Sequence, residues 1–302
     1  MDSERAQRPL AADALDLRLP SARTLPLVFS SPHSGRDYPP EFVAASRLDP
    51  LALRRSEDSF VDEIFAAAPL LGAPLLAARF PRAYLDVNRE PWELDPAMFR
   101  EALPGFVNAA SPRVRMGLGT IARIVASGEE IYAKRLSFAE AARRVEALYH
   151  PYHRALARLV EETEEAFGGC LLVDCHSMPS SCGGRAGSGV DIVLGDCHGA
   201  ACSKEIVERA RRFLERRGFA VALNAPYAGG FTTEHYGRPR QSRHALQVEI
   251  NRSLYMDEHN YKRQSGLARL ADEMALFVAE LGRIVGALIA PAEAEARRVA
   301  AD

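Results

Sequence analysis

The sequence predicts a layered α/β fold built as one domain. Short β-like runs alternate with longer helical patterns along its 302 residues, and no polar linker interrupts the middle. No internal repeat or low-complexity block appears. The β-like runs are LPLVFSS (25–31), APLLAAR (73–79), CLLVDC (170–175), VDIVLGD (190–196), FAVALN (219–224) and HALQVEI (244–250). Most are apolar at successive positions, as strands covered on both faces require.

Helices are expected from Ser56 (SEDSFVDEIFAAAPLL), Ser137 (SFAEAARRVEALYHPYHRALARLVEETEEAF), Ala200 (AACSKEIVERARRFLERRG) and about Tyr261 (YKRQSGLARLADEMALFVAELGRIVGALIA). Ser137 with Glu140 resembles a capping box, and Gly168-Gly169 is a fitting stop. Residues 91–130, with PWELDP, LPG and SGEE, read as an irregular excursion or lid. An N-terminal extension is expected over 1–24 and a charged helical tail over 291–302, flanking a domain of 25–290.

Lys and Arg number 38 against 40 Asp and Glu, a formal net charge of -2. No global field therefore draws the chain to nucleic acid or an anionic membrane surface. No apolar run reaches the roughly 20 residues of a membrane span, and the polar N-terminus lacks the apolar stretch of a signal peptide. Five cysteines, an odd number, do not make a disulfide framework. A reducing cytoplasm is the simplest location.

Polar residues collect at the strand ends. His33 comes directly after the first run, in Pro32-His33-Ser34-Gly35, and Asn88-Arg89 come after AYLDV. His176-Ser177 succeed CLLVDC, Asp196 ends VDIVLGD, and Pro226-Tyr227 with a Gly-Gly turn succeed FAVALN. Glu249 lies in HALQVEI, which runs on to Asn251-Arg252. Ligands of open α/β sheets sit outside the carboxyl ends of the strands, so these ends are expected to assemble one polar pocket at one sheet edge.

Two histidines among carboxylates, without a well-placed Ser or Cys nucleophile, fit a catalytic zinc site with three protein ligands and an open fourth position. His33 and His176 are the candidate ligands, with the third from Glu57-Asp58. No HExxH occurs, and a lone histidine after a strand is more often a hydrogen-bonded turn residue. His150 and His153, in a long helix, read as packing or surface residues, while His198, His235 and His244 lie nearer the expected pocket. Cys175 and Cys197 are close to it too, but a cysteine nucleophile needs a paired histidine and an electropositive setting. Arg82, Arg89 and Arg252 suit a small carboxylate-bearing substrate, unless Asp86, Glu90 or Asp95 simply pairs with them.

The blocks VFSSPHSGRDYP (28–39), RSEDSFVDEIFAAAP (55–69), FPRAYLDVNREPWELDPAMF (80–99), GLGTIARIVASGEEIY (117–132), LLVDCHSMPS (171–180), NAPYAGGFTTEHYGRP (224–239) and HALQVEINRSLYMDE (244–258) resemble the N-formylglutamate amidohydrolases, over about residues 25–285. The resemblance implies a three-layer α/β/α domain with a mixed central sheet, zinc-carboxypeptidase-like, holding one Zn2+. It implies hydrolysis of N-formyl-L-glutamate to formate and L-glutamate, a step of histidine degradation. By position, His33 matches the histidine of the family's PHSG block and His176 that of its DCHS block. Glu249 is similar in place to the glutamate that activates water in carboxypeptidases, and Asn88-Arg89 to the pair that grips the substrate carboxylate there.

The carboxypeptidase pattern places a ligand glutamate three residues after the first histidine, whereas position 36 here is Arg. The third ligand is therefore expected elsewhere: Asp58 first, then Glu57, then Asp37. The implied mechanism has Glu249 take a proton from the attacking water and return it to the departing nitrogen, with Arg82 or Arg89 at the oxyanion. Arg252, Asn88 and the 229–237 loop, with Thr232 and His235, would hold the substrate carboxylates. Other readings are a deacylase of another N-acyl amino acid, a non-catalytic carboxylate-binding protein and, remotely, a cysteine hydrolase using Cys175.

Overall fold

The computed structural model of the chain describes residues 14–183 and 189–299. Its strands are β1 (Leu15–Arg18), β2 (Leu27–Ser31), β3 (Leu75–Ala78), β4 (Cys170–Met178), β5 (Ile192–Gly195), β6 (Val221–Leu223), β7 (Arg243–Asn251), β8 (Met256–Asp257) and β9 (Lys262–Arg263). The helices are α1 (Pro40–Ala45), α2 (Pro50–Leu53), α3 (Val61–Ile64), α4 (Pro112–Arg115), α5 (Phe138–Arg144), α6 (His150–Phe167), α7 (Lys204–Arg216), α8 (Phe231–Tyr236) and α9 (Gly266–Val299). Seven strands form one sheet in the order β1-β3-β2-β4-β7-β5-β6, and β8 and β9 pair separately. β2, β4 and β7 are parallel, whereas β5 runs antiparallel to β7 and carries β6 parallel to itself. The sheet is mixed, as the resemblance implied.

Two compact units make up the chain, one from residues 1–16, 32–59 and 77–155, the other from 17–31, 60–76 and 156–302. The second holds the larger apolar core. Alternate residues of β2 (Leu27, Phe29), β4 (Leu171, Val173, Cys175) and β7 (Leu246, Val248, Ile250) enter it, together with Ile64 of α3, Phe277 of α9 and a stripe of α7. That stripe is Ile206, Val207, Ala210 and Leu214, the spacing of one helix face. α7 opens at Ser203 rather than at Ala200, because the Ser203 Oγ accepts the Ile206 N–H at 3.3 Å and caps the first turn.

The first unit is built around Phe42, Leu53, Ala83, Val125 and Ile131. Beside them the buried Arg144 lies 4.0 Å from the Tyr84 ring centroid and donates to the Tyr84 carbonyl and the Tyr132 hydroxyl. The helix expected from Ser137 forms: the Ser137 Oγ accepts the Glu140 N–H at 3.2 Å, and one widened turn over Val145–Tyr149 joins α5 to α6. Gly168 ends it at φ +74°, a left-handed value that costs glycine nothing.

Three expectations need correction. The helix predicted from Ser56 shrinks to α3, because Glu57 is extended and Phe60 adopts φ +68°. The strand predicted to end at 175 continues to Met178, so His176 lies on β4 instead of after it. Nor are β4 and β7 uniformly apolar, since the face opposite the core carries Asp174, His176, Gln247 and Glu249. Of the extension expected over 1–24, residues 1–13 lie outside the described residues and the remainder contains β1. Of the tail expected over 291–302, residues 300–302 lie outside them and α9 runs on to Val299. Among the described residues, no helix is long and apolar enough to cross a membrane.

Candidate active site

Strand periodicity builds the first half of the site. Successive side chains of a strand point to opposite faces, and in β4 and β7 the apolar set faces the core. Asp174 and His176 therefore share the other face with Gln247 and Glu249, and all four are buried. Parallel register sets Asp174 opposite Gln247 and His176 opposite Glu249, on strands about 4.8 Å apart. Gln247 Nε2 donates to Glu249 Oε1 at 3.0 Å. Asp174 accepts from the Ser30 hydroxyl at 3.2 Å and lies 2.8 Å from His176 Nε2. A carboxylate can only accept, so this bond places the His176 proton on Nε2 and leaves Nδ1 as the lone-pair nitrogen. Arg252, in the turn after β7, is buried and donates from Nε to the Ser177 Oγ at 3.1 Å.

His33 repeats this arrangement. Its Nε2 lies 2.7 Å from Asp86 Oδ1, and its Nδ1 lies 3.3 Å from Asp58 Oδ2. The Asp58 N–H donates to the His33 carbonyl, which fixes the two residues together. Asp86 also accepts from Arg82 Nε at 2.9 Å and the Asn88 N–H at 2.8 Å, and pairs with Arg89 at 3.5 Å. Burial raises the Asp86 carboxyl, but the two guanidiniums and His33 outweigh it and hold the group well below the usual carboxylate range. Glu57, also buried, is fully occupied by Arg54, the Tyr38 hydroxyl and the Ser59 hydroxyl. Asp37 pairs with Arg79.

His33, Asp58 and His176 each offer one ligand atom, and these atoms lie within 4.8 Å of one another. This cluster of two imidazoles and a carboxylate, with every member buried, could bind a metal ion. The donor set fits a catalytic site that keeps a position open. Both histidines also carry a carboxylate on one ring nitrogen, as metal-ligating histidines usually do. Gly35 guards the His33 loop, since a Cβ there would sit 2.2 Å from the Phe80 carbonyl oxygen. Gly35→Ala is expected to cost about 1–3 kcal/mol from overpacking, read from denaturant unfolding. An unchanged midpoint would mean that the loop is slack.

Other expected contributors fall elsewhere. Because β5 and β6 run opposite to β7, Asp196 lies toward the other end of the sheet, where it bonds Asn224 instead of joining the edge of His176 and Glu249. His235 of α8 stacks on Phe231 and neighbours Arg238, whose N–H bonds Arg243 at the start of β7, roughly 20 Å of strand from Glu249. Thr232 is fully buried in α8, which packs on β4 and β7. His153 bonds the Val87 carbonyl and packs its ring at a tilt against Tyr149, a packing role. Cys175 sits in the apolar core with its thiol pushed well up by burial and by Asp174, which removes it as a nucleophile.

Sequence reasoning passed over Asp174 and Gln247 and took Asp86 only as an arginine partner. The available signal was the period-two pattern of polar residues in VDCHS and LQVEIN.

A profile of the N-formylglutamate amidohydrolase family matches residues 25–256, a span containing His33, Asp58, Asp86, His176 and Glu249. N-formylglutamate deformylases of Pseudomonas putida and Pseudomonas aeruginosa are each 30% identical over 78% of this chain and 83% of theirs. The crystal structure of an N-formylglutamate amidohydrolase from Ralstonia eutropha JMP134 superposes with a TM-score of 0.84 at 37% identity, over 90% of this chain and 98% of that one. A protein of Agrobacterium tumefaciens, 18% identical with a TM-score of 0.66 over 92% of this chain and 97% of its own, shares the fold. The chain is a hydrolase and belongs to the N-formylglutamate amidohydrolase family.

Proposed function

We propose that the protein is a zinc-dependent deformylase that hydrolyses N-formyl-L-glutamate to formate and L-glutamate. The observation that carries this reading is the paired arrangement His33–Asp86 and His176–Asp174 behind the cluster of His33, Asp58 and His176. His33, Asp58 and His176 would hold the ion, which when bound polarises a carbonyl and acidifies water. Glu249, beside His176 in register, accepts the proton of the attacking water and passes it to the departing amine nitrogen. Gln247 orients that carboxylate. Arg82, partly exposed and tethered by Asp86, faces the charge that develops on the formyl oxygen. One substrate carboxylate goes to Asn88 and Arg89, and the other to Arg252.

A catalytic domain over 25–290 and a role in histidine degradation in the cytoplasm are consistent with this reading. None of the five cysteines is in a disulfide, which suits a reducing compartment. Metal content by elemental analysis should be measured with formate release from N-formylglutamate, alongside glutamate release from the acetyl and succinyl derivatives. The expected result is stoichiometric zinc, a preference for the formyl compound, and activity lost on chelation and restored by Zn2+. A sample that binds no zinc, or that releases no formate with zinc supplied, would sink the proposal.

A further inference from the structure

Residues 130–136 close the excursion and are stitched by backbone bonds to neighbouring segments. The Ile131 carbonyl accepts the Arg47 N–H at 2.9 Å, and the Ile131 N–H donates to the Arg123 carbonyl at 2.9 Å. Farther along, the Leu136 N–H donates to the Met98 carbonyl at 2.8 Å, and its carbonyl accepts the Arg100 N–H at 3.0 Å. Where these segments meet, a cleft of about 350 Å³ opens. That size lies within the range of small-molecule sites, roughly 300–1,000 Å³. Tyr132 and the buried Met98 line it, and the Tyr132 hydroxyl is held by the buried Arg144. None of the residues placed in the candidate active site lines it.

The charges of the cleft do not balance. Its lining carries Arg47, Arg123, Lys134 and Arg135 against Asp95 and Glu130. Arg47 pairs with Glu130 at 3.1 Å, and Arg123 pairs with Asp95 at 2.9 Å. Both carboxylates are thus taken by guanidiniums from neighbouring segments. The side chains of Lys134 and Arg135 make no hydrogen bond or ion pair among the described residues. Arg100 adds a further positive charge beside them, since its Nε donates to the Arg135 carbonyl at 2.9 Å. A concave wall with a surplus of one sign focuses the field and concentrates counter-ions. The surplus here is positive and exceeds one charge, so the matching group is a polyvalent anion. Guanidinium and ammonium together suit carboxylate or phosphate oxygens, the first by bidentate pairing and the second as a point charge.

We propose that this cleft is a second binding site, separate from the candidate active site, for a small polyvalent anion of the polycarboxylate or phosphate type. Lys134 and Arg135 hold the anion, and the Arg47–Glu130 and Arg123–Asp95 pairs fix the wall around them. None of these side chains takes part in the reaction assigned above, so the site stands or falls apart from it.

Calorimetric titration of the full chain with citrate, and separately with inorganic phosphate, tests the site in wild type and in Lys134→Ala/Arg135→Ala. Wild type is expected to show a binding event that the double variant lacks or shows at least about tenfold weaker, the worth of one lost charge-assisted contact. That event should weaken with added salt, as exposed charges require. Anion binding at the metal centre is common to both proteins and cancels in the comparison. Tighter binding of citrate assigns the site to polycarboxylates, and tighter binding of phosphate assigns it to phosphates. Both replaced side chains are exposed, so the double variant should keep its unfolding midpoint. Double-variant affinities for both anions within about threefold of wild type would overturn the proposal. So would a wild type that shows no binding event with either anion at millimolar concentration.

Discussion

Glu249→Gln is expected to lower kcat by about 10²- to 10⁴-fold, the usual worth of a positioned general base, while the protein keeps its metal. The carboxylate sits opposite His176 in the β4–β7 register and accepts a hydrogen bond from Gln247. The amide has the same shape but cannot take a proton from water. KM should change far less than kcat, because the loss falls on the transition state and not on binding. Formate release under saturating substrate, with zinc content determined on the same sample, checks both halves. Near-normal turnover in a zinc-replete variant would remove Glu249 as the base. A variant that had lost its zinc would make it a ligand instead.

The second large effect is expected at Asp86. Its carboxylate binds the His33 Nε2 while pairing with Arg82 and the buried Arg89. Asp86→Asn removes the charge and leaves Arg89 buried against its backbone carbonyl partners. Stripping one partner from a buried ion pair typically costs about 3–5 kcal/mol. Losing the group that orients a ligand histidine weakens metal binding by roughly 10- to 100-fold. Denaturant unfolding of the metal-free protein reads the first effect, and zinc competition against a chelator on folded variant reads the second. Zinc affinity equal to wild type would show that Asp86 serves the arginines alone.

Several features of the site were legible in the residues themselves. His33, His176 and Glu249 stand within or directly after strongly β-like runs, and small residues around them signal turns. The long helix from Ser137 was legible for a similar reason, since cap, apolar stripe and glycine stop are all local. The short α3 was not. SEDSFVDEIF has helical spacing, but Glu57 and Asp58 point inward to Arg54 and His33, and the backbone there is extended to allow it. Local propensity lost to the burial of two charged groups that must find partners.

Composition and local pattern, by themselves, determined the α/β class and the absence of any global charge attraction to polyanions, and they singled out the two histidines and the glutamate as candidates. Strand direction was left to the tertiary structure, because a strand reads the same whichever way it enters a sheet. The antiparallel placement of β5 therefore carried Asp196 away from the edge where His176 and Glu249 lie. The sequence ranked Asp58 ahead of Glu57, but the physical ground for that order is tertiary. Neighbouring carboxylates of one turn differ only in which side chains surround them: Glu57 has all its acceptor capacity filled, and Asp58 faces a histidine. The same holds for Asp86, whose bond to His33 spans 53 residues. Hydrogen-bond complementarity across such a separation exists only once the chain is folded.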